Sequence, residues 1–350
     1  MTIELASFIA ELASNPVLVV VTLLNVGVII VNGATDAPNA IATVVSTRAL
    51  KPNVAIFMAA ICNFLGLLLV SLITVAVAQT ILNMVDFGGD SHQAFIALAA
   101  AMVAIIVWGV AAWYFGIPTS ESHSLIAGLT GAAIALQGGL GAVNGGEWIK
   151  VVYGIVLSTL LGFFLGWLNA KIVVRVCRNM DRNRTAKTFR WAQILSGAGV
   201  AFMHGAQDGQ KFMSIFVLAI ALSNGSGQVD QTVLPVWLMI ISALCMGLGT
   251  AIGGKRIIKN VGLNMVKLEP YQGFASSSAA FFCLMLATFT GLPVSTTHTN
   301  TTAIMGVGAA KRKSSVKWGV AGDMMRAWIL TFPGCGLLGF GFAYLFLYLF

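Results

Sequence analysis

Two octapeptides built on one plan interrupt apolar sequence in the two halves of this chain. That duplication constrains its fold more than any other feature. Residues 32–39 read NGATDAPN and residues 204–211 read HGAQDGQK. Each places Gly, Ala, a polar residue and Asp in order: Gly33-Ala34-Thr35-Asp36 and Gly205-Ala206-Gln207-Asp208. A second matched pair follows in the same order, GIPTSESHS from Gly116 to Ser124 and GLPVSTTHT from Gly291 to Thr299. The spacing from Asp36 to Pro118 resembles that from Asp208 to Pro293. Acids and hydroxyl clusters repeated inside apolar sequence point to two repeats with a polar site between them, the plan of a secondary transporter.

The background is that of a membrane protein. Hydrophobic residues make up 58% of the chain and charged residues 9%, too few to cover a soluble domain of this length. Several apolar runs reach the roughly 20 helical residues needed to cross a hydrocarbon core of about 30 Å. The 38 glycines suit close helix packing in lipid. The formal net charge is +8, and seven of the twenty basic residues fall between Lys171 and Arg190. Further basic groups are Arg48 and Lys51; Lys255, Arg256, Lys259 and Lys267; and Lys311, Arg312, Lys313 and Lys317. In short loops these read as cytoplasmic, and a basic loop between spans is not a nucleic-acid site. Cys62, Cys177, Cys245, Cys283 and Cys335 are scattered and suggest neither a disulfide nor a zinc framework. Glu4 and Glu11 precede the first span, which argues against a cleaved secretory signal.

Hydropathy divides each half into five elements: 16–48, 52–82, 94–115, 117–137 and 150–175, then 191–222, 233–252, 269–290, 292–310 and 319–349. Loop 83–93 carries Asp86 and Asp90, and loop 223–231 carries Asp230; neither has a basic residue, so both read as external. The expected fold is an all-α polytopic membrane protein of two inverted-topology repeats, each of about five membrane elements. Residues 1–177 form the first repeat, 178–190 a basic cytoplasmic linker and 191–350 the second repeat. Both termini are placed outside. The fourth element of each half is either a full span or a re-entrant hairpin.

Asp36 and Asp208 lie deep in apolar sequence. An ionised carboxylate there costs at least ~2.5–3.5 kcal/mol, so each is expected to face the bundle interior with a partner. Gly33 and Pro38 in the first motif, and Gly205 and Gly209 in the second, are expected to break the helix and free backbone carbonyls. Carbonyls, a carboxylate and side-chain oxygens suit a hard cation such as Na+, while H+ would bind the carboxylate itself. Asn39 and Thr43 follow Asp36 on one helix face, and Gln207 and Gln210 flank Asp208. The plainer alternative is that each Asp only caps a half-helix. Lys211 either pairs with Asp208 at i,i+3 or attracts an anion.

Pro118 and Pro293 suit the first turn of a helix. Behind them stand Thr119, Ser120, Glu121, Ser122, His123 and Ser124, and in the other half Ser295, Thr296, Thr297, His298 and Thr299. Unpaired N–H groups at a helix start, the positive end of its dipole and hydroxyl donors together make an oxyanion pocket. The alternative is that the hydroxyls bond back to their own helices. His123 and His298 match in position and are candidates for motif support or a proton relay. Glu121 stands where the other half has Thr296, and beside an anion site it favours ion coupling. An intramembrane hydrolase using Ser122 or Ser295 is disfavoured, since no GxSxG occurs and two matched sites are not needed. A channel is the remaining rival.

GLPVSTTH at 291–298, HGAQDGQK at 204–211 and NGATDAPNAIATVVSTRA at 32–49 resemble the inorganic phosphate transporter (PiT) family, and within it the bacterial low-affinity permeases. The resemblance spans essentially the whole chain. It implies an inverted-repeat carrier of the cell inner membrane that moves inorganic phosphate, or metal-phosphate, with Na+ or H+ and no other cofactor. Carried over by position, it assigns Asp36, Asn39 and Asp208 to ion binding, and Ser120, Ser122, Ser295, Thr296 and Thr297 to the anion. Two departures stand out. Thr35-Asp36 and Gln207-Asp208 replace the family's Asn-Asp pairs, and Glu121 replaces a small hydroxyl residue. Sulfate or another tetrahedral oxyanion is the rival substrate. A homodimer agrees with the resemblance, though no residue demands it.

Overall fold

The computed structural model describes residues 4–88, 90–115, 119–223, 234–253, 258 and 265–350. Pro118, Asp230, Lys255, Arg256 and Lys259, which entered the sequence reading, lie outside the described residues. The first half comprises α1 (Leu5–Ser14), α2 (Pro16–Thr35), α3 (Ala37–Ser46), α4 (Pro52–Ser71), α5 (Ala76–Leu82), α6 (Ser91–Phe115), α7 (Glu121–Gln137) and α8 (Gly145–Val176). The second comprises α9 (Arg182–Ser223), α10 (Val236–Gly253), α11 (Pro270–Phe289), α12 (Thr296–Lys311) and α13 (Trp318–Leu349). Among the described residues the β pairing consists of two isolated bridges, Val85 with Val143 and Val266 with Val316.

Local chemistry sets several boundaries. Asn15 caps α2 by accepting from Val17 N and Leu18 N, with Pro16 at the first helical position. Asn144 caps α8 in the same way through Gly146 N and Glu147 N. At α11, Gln272 Oε1 reaches back to Glu269 N at 2.9 Å, one arm of a capping box. Among the described residues, six helical segments are long and apolar enough to cross a membrane: Pro16–Ser46, Pro52–Ser71, Ser91–Phe115, Gly145–Val176, Pro270–Phe289 and Trp318–Leu349. Large apolar side chains such as Leu23, Phe57, Leu160, Phe164 and Ile329 are exposed on them, as lipid contact requires. The chain is a multi-pass membrane protein.

The helices pack across the two halves. α2 lies on α10 and α4 on α9, while α7 lies on α13 and α12 on α8. Two glycine crossings bring the first motifs close to their neighbours. A Cβ on Gly33 would collide with Met246 O and one on Gly249 with Ile30 O; likewise Gly66 with Phe202 O and Gly205 with Asn63 O. Only glycine permits backbones this near.

Those contacts correct the expectation that the glycines break helices. α9 runs unbroken through Gly205 and Gly209, because the cost of a helical glycine, about 1 kcal/mol, is offset by the close crossing it allows. In the first half the helix is interrupted only at Asp36, between α2 and α3. There Pro38 lacks the N–H that would continue the ladder. Part of the basic segment between the halves is helical. The helix resumes at Arg182, leaving Cys177 to Asp181 as the connection. α1, which hydropathy did not single out, is held by stacking of Phe8 on Trp237 at 5.0 Å and by a 2.8 Å hydrogen bond from Ser223 Oγ to Glu11 Oε2.

Candidate functional site

The α2/α3 break, the middle of α9 and the starts of α7 and α12 meet in the interior. Asp36, Asp208, Lys211, Glu121, His123 and His298 are all buried. Ser120 and Ser295 act as matched N-caps: each hydroxyl oxygen accepts from the N–H three residues on, His123 N at 3.3 Å and His298 N at 3.2 Å. The two helix starts face one another, with the His123 and His298 rings 4.5 Å apart edge to face. His298 also stacks on Trp328 at 3.8 Å and His123 lies against Phe332 at 4.5 Å. Among the described residues, no ring nitrogen of either histidine has a hydrogen-bond partner.

The carboxylates and hydroxyls form one network that crosses between the halves. Asp208 is fully engaged. Its Oδ1 accepts from Lys211 Nζ at 2.8 Å and Ser122 Oγ at 3.2 Å. Its Oδ2 accepts from Asn32 Nδ2 and Thr296 Oγ1, both at 3.3 Å, and His204 Nε2 stands 3.2 Å away without the geometry of a hydrogen bond. Asp36 is half engaged. Its Oδ1 accepts from Asn39 Nδ2 at 3.1 Å and from the Thr297 hydroxyl in a close contact; its Oδ2 is buried with no partner among the described residues. Asn39 Nδ2 also donates to Thr297 Oγ1 at 2.7 Å. Thus Asp36 takes a hydroxyl from the second half, and Asp208 one from the first. One oxygen or nitrogen each of Asp36, His204 and Asp208 lie within 4.8 Å of one another, a set able to hold a cation.

Several residues act differently from the sequence reading. Lys211 Nζ gives its three protons to Ser122 Oγ (2.7 Å), Asp208 Oδ1 (2.8 Å) and Val294 O (2.6 Å), so none remains for an anion. Thr43 bonds Ser277 Oγ at 2.9 Å, about two helical turns beyond Asp36, and does not join the acids. Gln207 Nε2 donates to Leu292 O at 3.1 Å and stands at the edge of the network. Ser124 and Thr299 bond back to the carbonyls of Ser120 and Ser295, as the plainer account of the hydroxyls anticipates. Glu121 Oε1 lies 3.2 Å from Thr35 Oγ1, whose single proton also has Val31 O at 2.8 Å, apart from both aspartates' hydrogen bonds.

Three participants escaped the sequence reading: Asn32, His204 and Asn63. Asn32 and His204 hold the same position, four residues before each motif Asp. That i,i+4 spacing puts them on the acid's face of a helix, a signal present in the motif. Asn63 Oδ1 lies 3.1 Å from His204 Nδ1 and Nδ2 donates to Thr250; nothing in the sequence links α4 to that histidine.

The sequence pattern of the Phosphate transporter family matches residues 32–339, which takes in all four motifs. The chain belongs to the phosphate transporter family. A probable low-affinity inorganic phosphate transporter of Bacillus subtilis (strain 168) is 38% identical over 309 residues, 88% of this chain and 91% of the relative. One from Rhizobium meliloti (strain 1021) is 40% identical over 308 residues, 88% and 90% of the two chains. A solved structure described as the sodium-dependent phosphate transporter shares the fold, with TM-score 0.85 over 96% of this chain and all of that one, at 22% identity. The family is one of transporters, not enzymes, which removes the hydrolase reading.

Proposed function

We propose that this family member carries inorganic phosphate across the cell inner membrane together with a cation, by alternating access between two inverted repeats. The crossed packing of α2 on α10, α4 on α9, α7 on α13 and α12 on α8 supports the repeat reading. So do the matched caps at Ser120 and Ser295. At 17 and 16 residues, α7 and α12 are about 25 Å long, short of a full crossing. Starting from buried caps, they fit re-entrant elements that meet inside the protein.

The observation that carries the mechanism is the sharing of hydroxyls. Ser122, Thr296 and Thr297 sit at helix starts suited to an oxyanion, yet they point their protons at Asp208 and Asp36. A hydroxyl has one proton to give. A cation bound at Asp36 takes over as that carboxylate's electrostatic partner and releases the Thr297 hydroxyl to donate to phosphate. Cation binding thereby prepares the anion site, and the anion's charge in turn holds the cation. Ser120 and Ser295 accept from their own helices and remain free to donate. The unpartnered acceptor oxygens Asp36 Oδ2, Asn32 Oδ1, Asn39 Oδ1 and Gln207 Oε1 suit Na+, which needs several oxygens, better than a proton, which needs one. Glu121, with a single hydroxyl partner, supports the second reading, proton coupling.

The test is radiolabelled phosphate uptake into proteoliposomes under an imposed Na+ gradient, a proton gradient, and each with excess sulfate. Na+-driven uptake that resists sulfate is expected, with half-saturating phosphate falling as Na+ rises. Absence of phosphate accumulation under both gradients overturns the proposal.

A further inference from the structure

The two acids carry their bridging residues at matched places, Asn39 three residues after Asp36 and Lys211 three residues after Asp208. Their hydroxyl partners, Thr297 and Ser122, also match, each directly preceding the motif histidine. The bonding repeats as well. Asn39 Nδ2 joins Asp36 Oδ1 to Thr297 Oγ1, and Lys211 Nζ joins Asp208 Oδ1 to Ser122 Oγ, adding the main-chain oxygen of Val294. The difference is charge: an amide is neutral and an ammonium is not. A carboxylate, a hydroxyl and a carbonyl beside a helix start, converging on one point, form the donor set of a monovalent-cation site.

We propose that the Lys211 ammonium is a tethered cation, permanently filling the second of two like cation sites, so that only the Asp36 half takes a mobile one. The two halves then divide the work. Asp208 has both oxygens occupied and keeps a fixed countercharge, as a buried intramembrane carboxylate requires. Asp36 has only the neutral amide and hydroxyl, with Asp36 Oδ2 and Asn39 Oδ1 buried and unpartnered, and His204 and Asp208 within reach. The symport reading supplies what the mobile cation drives, but the number of cations bound does not depend on the substrate.

The experiment measures radiolabelled Na+ bound to the purified full chain, comparing wild type with Lys211→Asn, which copies the first-half arrangement into the second. Lys211→Asn is expected to bind one more Na+ per chain than wild type. The extra ion should vanish in Lys211→Asn/Asp208→Asn. Equal binding by wild type and Lys211→Asn overturns the proposal and reduces Lys211 to a structural ion pair. Where Lys211→Asn is too unstable for counting, its melting temperature is compared in Na+ and in N-methylglucamine, since a ligand of the folded state raises stability. A larger rise in melting temperature with Na+ in Lys211→Asn than in wild type supports the tethered cation; an equal rise in both overturns it. Failure of wild-type phosphate uptake would remove the symport reading and leave this count standing, so the two failures are distinguishable.

Discussion

Asp36 and Asp208 occupy the same place in their motifs and face the same chemistry with opposite completeness. Asp208 is surrounded by an ammonium, two hydroxyls, an amide and an imidazole. Asp36 has an amide and one hydroxyl, and one oxygen left over. The matched motifs differ at several positions, and on the proposed reading the exchange of Asn39 for Lys211 makes one acid a fixed structural charge and leaves the other as the place for a transported ion. A buried charge with its partners in place is a structural element; one without them invites a ligand.

The largest effect should come from cutting the complete site. Asp208→Asn leaves the Lys211 ammonium buried without its carboxylate, and breaking a buried pair costs about 3–5 kcal/mol. A thermal melt in detergent should show this loss alongside loss of uptake, and an unchanged melt would break the comparison. Asp36→Asn should do the reverse. Uptake driven by a gradient should fall by about a hundredfold or more, roughly 3 kcal/mol of lost coupling, while the melt stays within about 1 kcal/mol of wild type. The hydroxyls sharpen the contrast at smaller scale. Thr297→Val removes the one hydroxyl at Asp36 and should raise half-saturating phosphate by about tenfold. Ser122→Ala should raise it by only about threefold, because Lys211 still holds Asp208. Initial-rate uptake at fixed Na+ reads both. Glu121→Gln should matter least, leaving Na+-driven uptake within about twofold of wild type; a collapse would move coupling to the proton reading.

Much of this was legible in the chain. Long apolar runs placed most helices, with α2 starting at Pro16 where hydropathy put it and α8 starting at Gly145, five residues before the apolar run. The matched GxxD and hydroxyl motifs marked the buried acids and the neighbourhood of the two helix starts, although Pro293 precedes the Ser295 cap instead of sitting in the first turn. The glycines misled, because Gly205 and Gly209 look like helix breakers in sequence and act as contact surfaces only when α4 is known to cross α9. Asn32 and His204 were visible as matched residues four before each Asp but lack the charge or hydroxyl that draws notice. The bonding of Thr297 to Asp36 and of Ser122 to Asp208 depends on helices far apart in sequence. No periodicity shows that the hydroxyls of one half serve the acid of the other.

The most direct test of the unequal acids is a structure of the protein with Tl+ in place of Na+, read from the anomalous signal of the heavy cation. One peak bounded by Asp36 Oδ2 and Asn39 Oδ1, with none at Asp208 Oδ1 where Lys211 Nζ sits, is the predicted result. Peaks at both acids, or a peak at Asp208 alone, would contradict it.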